Sequence, residues 1–166
     1  MPYLGSTLFF VALALALVVS LTAWMLLARA LAPGIVASSG ERWSRPGRHV
    51  LLGAVIFAAW LVMVLGAFAV PFPLAKLTGL LLLTGLVAFA LTGLAGLAGM
   101  LGTRLVPEGS VLRQHTVGAV VLELAFLLPL VGWFVVLPLA LAGGTGVVAA
   151  SLLERMRAPV RSDAPA

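Results

Sequence analysis

The chain has 166 residues, of which 63% are hydrophobic and only 9% are charged, where a soluble domain carries about 45–50% apolar and about 25% charged residues. That balance excludes a soluble enzyme, a secreted disulfide domain and a disordered linker, and with no cysteine present there is no disulfide, thiolate metal site or cysteine nucleophile. The net charge of +5 comes from basic residues that nearly all flank hydrophobic runs, where they set membrane orientation and meet anionic headgroups; it points to a lipid bilayer and to no nucleic-acid partner.

Four runs carry no charged residue: 1–28, 50–75, 77–103 and 124–153. Each exceeds the roughly 20 apolar residues that a bilayer span requires. The expectation is an all-α, polytopic helical membrane bundle, with residues 1–153 as one transmembrane domain.

The first helix is expected over residues 5–31. A secretory signal has a basic leading segment, an apolar core of about 7–15 residues and a small-residue cleavage site. Residues 1–7 have no basic side chain, and the apolar run Leu8–Leu27 is 20 residues long, so a retained span is favoured although Ala28-Arg29-Ala30 resembles a cleavage tripeptide. Pro33-Gly34 ends it as a breaker pair. Residues 35–48, with three arginines, read as a polar loop. A second helix follows over 49–70. Pro71-Phe72-Pro73 then forces a tight turn, because two prolines so spaced do not fit inside a helix, and a third helix covers 74–103. Residues 104–115 form a second polar loop, and residues 154–166 a polar cytoplasmic tail that is expected to be disordered.

The apolar stretch from Thr116 to Leu153 decides the topology. As one helix its 38 residues would extend ~57 Å against a hydrocarbon core of ~30 Å. A hairpin at residues 129–133, Pro129-Leu130-Val131-Gly132-Trp133, divides it into a short or re-entrant arm (113–128, reaching back to Val111 at most) and a full span (133–153). Charge supports the hairpin. With it, nine arginines (29, 42, 45, 48, 104, 113, 155, 157 and 161) share one side against Lys76 alone; without it the division is six against four. By the excess of Lys and Arg in cytoplasmic loops, the N-terminus is outside and the C-terminus cytoplasmic. Four full transmembrane helices plus one short arm result. Tyr3, Phe72 and Trp133 would then lie at the outer interface, and Trp60 would be a packing residue.

In lipid, helices associate by close backbone approach rather than by apolar burial. The third helix carries Gly93, Gly96, Gly99 and Gly102 at intervals of three. Steps of three and four trace Thr78, Gly85, Thr92, Gly96, Gly99 and Thr103 along one stripe, which reads as a helix-packing seam; a groove for a lipid tail, quinone or pigment is the alternative. Gly143 and Gly144, with Ala140, Gly146, Ala149 and Ala150, supply a second small-residue surface as its expected partner.

Chemistry has few candidates. Glu123 is the only acidic residue within a span, and an ionised group at the bilayer centre costs on the order of 3 kcal/mol, so it requires a partner or a proton. It could relay protons, bind a cation or contact a partner subunit, or it could be a structural group capped by hydroxyls or water. His115 and Thr116 share its helical face. His49 and His115, both at the starts of helices, are weak candidates for holding a haem, chlorophyll or other cofactor. No metal-binding, nucleophile or phosphate-loop motif occurs, and no cofactor is implied. A catalytic role is not expected.

Several features together, namely Gly47-Arg48-His49 ahead of a helix, the Pro71-Phe72-Pro73 turn, a glycine-rich helix ending in Gly102-Thr103-Arg104-Leu105, and Leu128-Pro129-Leu130-Val131-Gly132-Trp133 ahead of the last helix, resemble an uncharacterised polytopic membrane domain of bacteria. That domain is often found with bactofilin-like, polymer-forming proteins. The resemblance covers residues 47–153; it implies a bacterial inner-membrane protein of non-catalytic role and carries over no functional residue. The expected function is that of a scaffold or accessory subunit packing against other membrane subunits or a second copy. The rivals are a small transporter or ion-conducting oligomer using Glu123, and a subunit that binds lipid, quinone or pigment.

Overall fold

The computed structural model describes residues 2–128 and 130–157, with side chains from residue 7 onward. Every regular element in them is helical: α1 (Pro2–Leu31), α2 (Pro33–Arg42), α3 (Pro46–Ala69), α4 (Pro73–Leu105), α5 (Val111–Phe126), a π-helical turn (Gly132–Val136) and α6 (Leu137–Arg157). Four segments are long and apolar enough to cross a membrane: Thr7–Leu31, Pro46–Ala69, Pro73–Leu105 and Gly132–Arg157. The protein is a multi-pass helical bundle. Helix α5 has 16 residues, ~24 Å of helix, shorter than a ~30 Å hydrocarbon core.

Helices α1 to α4 all begin on proline. Pro33, Pro46 and Pro73 each occupy a first helical position, where the missing N–H costs no hydrogen bond and the fixed φ suits the helix. The residue before each is held out of the helical region: Ala32 has φ −133° and ψ 56°, Arg45 −132° and 70°, Phe72 −123° and 131°. This corrects the reading of residues 35–48 as loop. Pro33 ends α1 and at once starts α2, which carries Ser38, Ser39, Glu41 and Arg42 as a ten-residue helix across the arginine-rich end of the bundle. A second correction concerns the tail, since Glu154–Arg157 continue α6 as helix; residues 158–166 and the side chain of Tyr3 lie outside the described residues.

Helix α5 starts two residues earlier than the expected arm, at Val111, because the Ser110 hydroxyl caps it by accepting from the Arg113 N–H at 3.3 Å. It ends at Phe126, so Leu127 and Leu128 belong to the turn. The chain reverses tightly at Gly132, where a Cβ would overlap the carbonyls of Ala125 and Phe126. The following π turn is explained by Pro138, which lacks an N–H and whose ring crowds the carbonyl of Phe134 in an α-helical ladder; the wider turn relieves both. Its closing bond runs from the Leu137 N–H to the Gly132 carbonyl.

The glycines of α4 contact three neighbours rather than forming one stripe. Three residues turn an α-helix by about 300°, so each successive glycine is displaced by about 60° around the axis. Gly93 faces Gly144 of α6, Gly96 faces Gly40 and the Val36 carbonyl of α2, and Gly99 and Gly102 face His115 and Gln114 of α5. Thr78 and Thr103, at the ends of the expected stripe, are exposed. Helices α3 and α6 cross at Gly53 and Gly146, where a Cβ on either would overlap a carbonyl of the other helix. The buried centre contains Leu94, Ala95, Ala98, Ala119 and Leu122, joined by Met25 of α1 and Val36 of α2.

Candidate functional site

Glu123 lies on the face of α5 turned toward α1 and is 2% exposed. Its carboxyl oxygens lie 3.0 and 3.1 Å from the Thr22 hydroxyl of α1, which donates to them. A carboxyl in an apolar surrounding is tolerated where it is hydrogen-bonded, and this contact pins the middle of α1 to the short arm. Thr116 and His115, expected on the face of Glu123, bond within their own helix instead: Thr116 donates to the Leu112 carbonyl and His115 Nδ1 to that of Val111. A cavity of about 210 Å³ adjoins Glu123, and its other walls are the apolar side chains Leu17, Val18, Leu21, Phe126, Leu127, Trp133 and Leu137.

Beyond Thr22, toward the N-terminus, α1 leaves the bundle. Between Thr7 and Val19 only Ala14 and Val18 are even half-buried. Leu8, Phe9, Phe10, Leu13, Leu15 and Val19 are each more than half exposed. The short arm stops where a full span would have covered them.

The two histidines stand apart. His49, at the start of α3, faces α6 beside Leu153 and Glu154. His115, 6% exposed, packs its Nε2 against Gly99, where a Cβ would stand only 2.6 Å away. His49 Nδ1 and His115 Nε2 are both buried without a hydrogen-bond partner. Among the described residues no three of His, Cys, Asp and Glu come together. His115 also lines a cavity of about 390 Å³ at the arginine-rich end, bounded by α1, α2, α4 and α5, with Arg29, Glu41 and Gln114 on its walls.

The remaining candidates are contact residues. Gly85 faces the edge of the Trp60 ring, which a Cβ there would meet at 3.3 Å, and Trp60 stacks at a tilt on Phe89, 5.8 Å between centroids, which makes it a packing residue between α3 and α4. Thr92 is half-buried and donates to the Ala88 carbonyl of its own helix. Gly144 lies against the Ala90 carbonyl, and Gly143 against the indole of Trp43. Trp43, at the end of α2, is a residue that sequence reasoning missed; its Nε1–H donates to the Gly93 carbonyl at 3.0 Å, locking α2 over the crossing of α4 and α6. Its position in a run of charged residues was the available signal. Arg42 pairs with Glu154, tying α2 to α6.

No family model, curated protein or solved structure matches the chain, so the likeness to the bacterial membrane domain rests on the residues quoted for it alone.

Proposed function

We propose that this protein is a non-catalytic scaffold or accessory subunit of the bacterial cytoplasmic membrane, with its N-terminus outside and its C-terminus cytoplasmic, and that the N-terminal half of α1 receives a transmembrane helix of a partner subunit. The observation that carries this reading is the bare stretch of α1 between Thr7 and Val19. Lipid already covers apolar side chains well, so a partner helix gains nothing from burial alone and must fit the surface in shape. Here the Thr22–Glu123 contact holds the middle of α1 while its N-terminal half stands clear beside the end of the short arm, which leaves a notch one helix can enter.

A second reading, ion or proton transport through Glu123, is favoured by a buried carboxyl next to a broken last segment, since discontinuous helices line many transport sites. The apolar walls of the adjoining cavity support the tethering role over a conducting path. The test replaces the exposed α1 positions Leu8, Leu13 and Leu15 by other apolar residues of different shape. The scaffold reading expects a folded protein that has lost its co-purifying subunit. A Glu123-dependent proton or cation flux from the purified protein in liposomes, with association unaffected by the α1 changes, overturns it.

A further inference from the structure

The contact between Glu123 and Thr22 asks more of one hydroxyl than a single hydrogen can give. The Thr22 oxygen stands 3.0 Å from Oε1 and 3.1 Å from Oε2, and a hydroxyl has one hydrogen to donate. In an ionised carboxylate the two oxygens would share that hydrogen, with no other donor reaching them among the described residues and with the side chain 2% exposed. A protonated carboxyl completes the same geometry. Its carbonyl oxygen accepts the Thr22 hydrogen while its own O–H donates back to the Thr22 oxygen, so two full hydrogen bonds close a ring between α1 and α5. The surroundings favour that form, because the other walls of the adjoining cavity are apolar. No side chain titrates from Leu4 to Ala28 on α1, from Leu77 to Thr103 on α4, or from Gly132 to Leu153 on the π turn and α6. Along α1 and α5 themselves, Arg29 and His115 stand seven and eight residues away, ~10–12 Å along the helix axes. An unpaired charge in such a place is poorly tolerated.

We propose that Glu123 is held as a neutral carboxylic acid and that its proton latches α1 to the short arm. When the proton leaves, the ring loses one of its two hydrogen bonds and gains a charge that the apolar walls do not solvate. Water entering the adjoining cavity of about 210 Å³ relieves this as α1 moves off α5. Helix α1 is built to pivot there. Toward its C-terminal end Met25 and Ala28 are buried in the bundle, whereas on the other side of Thr22 its residues are largely exposed. The latch thus sets where the N-terminal half of α1 stands, and with it the shape of the notch assigned above to a partner helix. Only that last consequence rests on the scaffold reading; the proton and the movement belong to this chain alone.

The full-length protein is reconstituted alone in lipid nanodiscs, and infrared difference spectra are taken between it and Glu123→Gln. At neutral pH a protonated-carboxyl C=O band is expected that the variant lacks. Thr22→Val should move this band to higher frequency, since the C=O then loses its hydrogen bond, and alkaline pH should abolish it. Movement is read separately from spin labels on Phe10→Cys and Leu128→Cys, both exposed positions in a chain without native cysteine. The distance between the labels is expected to widen over the same pH range. With Glu123→Gln added it should stay fixed, because the amide keeps both hydrogen bonds and does not titrate. A carboxylate band in place of the protonated one at neutral pH, a label distance that stays constant while the band disappears, or equal widening in Glu123→Gln overturns the proposal. Failure of the scaffold reading shows instead as the absence of a co-purifying subunit and leaves these spectra and distances unchanged.

Discussion

The close backbone approach of α3 and α6 offers the sharpest test of the packing. Gly146 of α6 lies so close to α3 that a Cβ would overlap the His49 carbonyl and meet the Gly53 N–H nitrogen at 2.9 Å. Both obstacles are backbone, so neither can swing aside as a flexible side chain would. For Gly146→Ala the helices must separate, and a gap of ~1 Å forfeits up to half of each van der Waals contact along the crossing. Overpacking of this kind costs about 2–3 kcal/mol. Gly66, on the same helix as Gly53, is the matched control: nothing lies within 4 Å of its would-be Cβ, and alanine there gains about 1 kcal/mol of helix propensity. The two variants should differ by about 3 kcal/mol, roughly a hundredfold in the unfolding constant. Titration of each purified variant with sodium dodecyl sulfate in mixed micelles, followed by tryptophan fluorescence, measures this difference. Equal unfolding midpoints for Gly146→Ala and Gly66→Ala would refute the argument that the α3–α6 crossing depends on missing side chains.

Four further outcomes are expected. Glu123→Gln should leave stability within about 1 kcal/mol, because a neutral amide still accepts from Thr22, whereas Glu123→Leu and Thr22→Val should each lose about 1 kcal/mol and show no additivity in the double variant; additive losses would mean that the two groups act separately. Trp43→Phe should cost about 1 kcal/mol through its bond to the Gly93 carbonyl, and Trp43→Ala about 3–5 kcal/mol through the cavity left against Gly143, both read in the same unfolding assay. Arg42→Gln should change stability by less than about 1 kcal/mol, since its partner Glu154 is 72% exposed and surface ion pairs contribute little. The protein has no cysteine, so single variants report orientation cleanly. An impermeant thiol reagent applied to intact cells should label Phe72→Cys and should reach Ser44→Cys only after permeabilisation, and the reverse pattern would invert the topology.

What the sequence determines by itself is what one dimension can carry. Hydropathy summed over some 20 residues marks the four spans, the surplus length of residues 116–153 demands a reversal, and the backbone chemistry of Pro71 and Pro73 places the turn between α3 and α4. Glu123 and His115 are equally visible, as polar residues in an apolar text. Their partners are not. Thr22 lies 101 positions from Glu123, and nothing local distinguishes it from the other threonines. Gly85, Gly96 and Gly99 of α4 look like one seam because steps of three and four join them, yet Gly85 meets Trp60 of α3, Gly96 meets α2 and Gly99 meets α5, because several helices surround α4 and share its small-residue surface. Helix α2 escapes notice because a polar stretch opened by Pro-Gly reads as loop until α4 supplies Gly96 for it to rest on, with Trp43 reaching the Gly93 carbonyl. Only the assembled fold decides these things, because the direction a side chain faces acquires a meaning when a particular neighbour stands there.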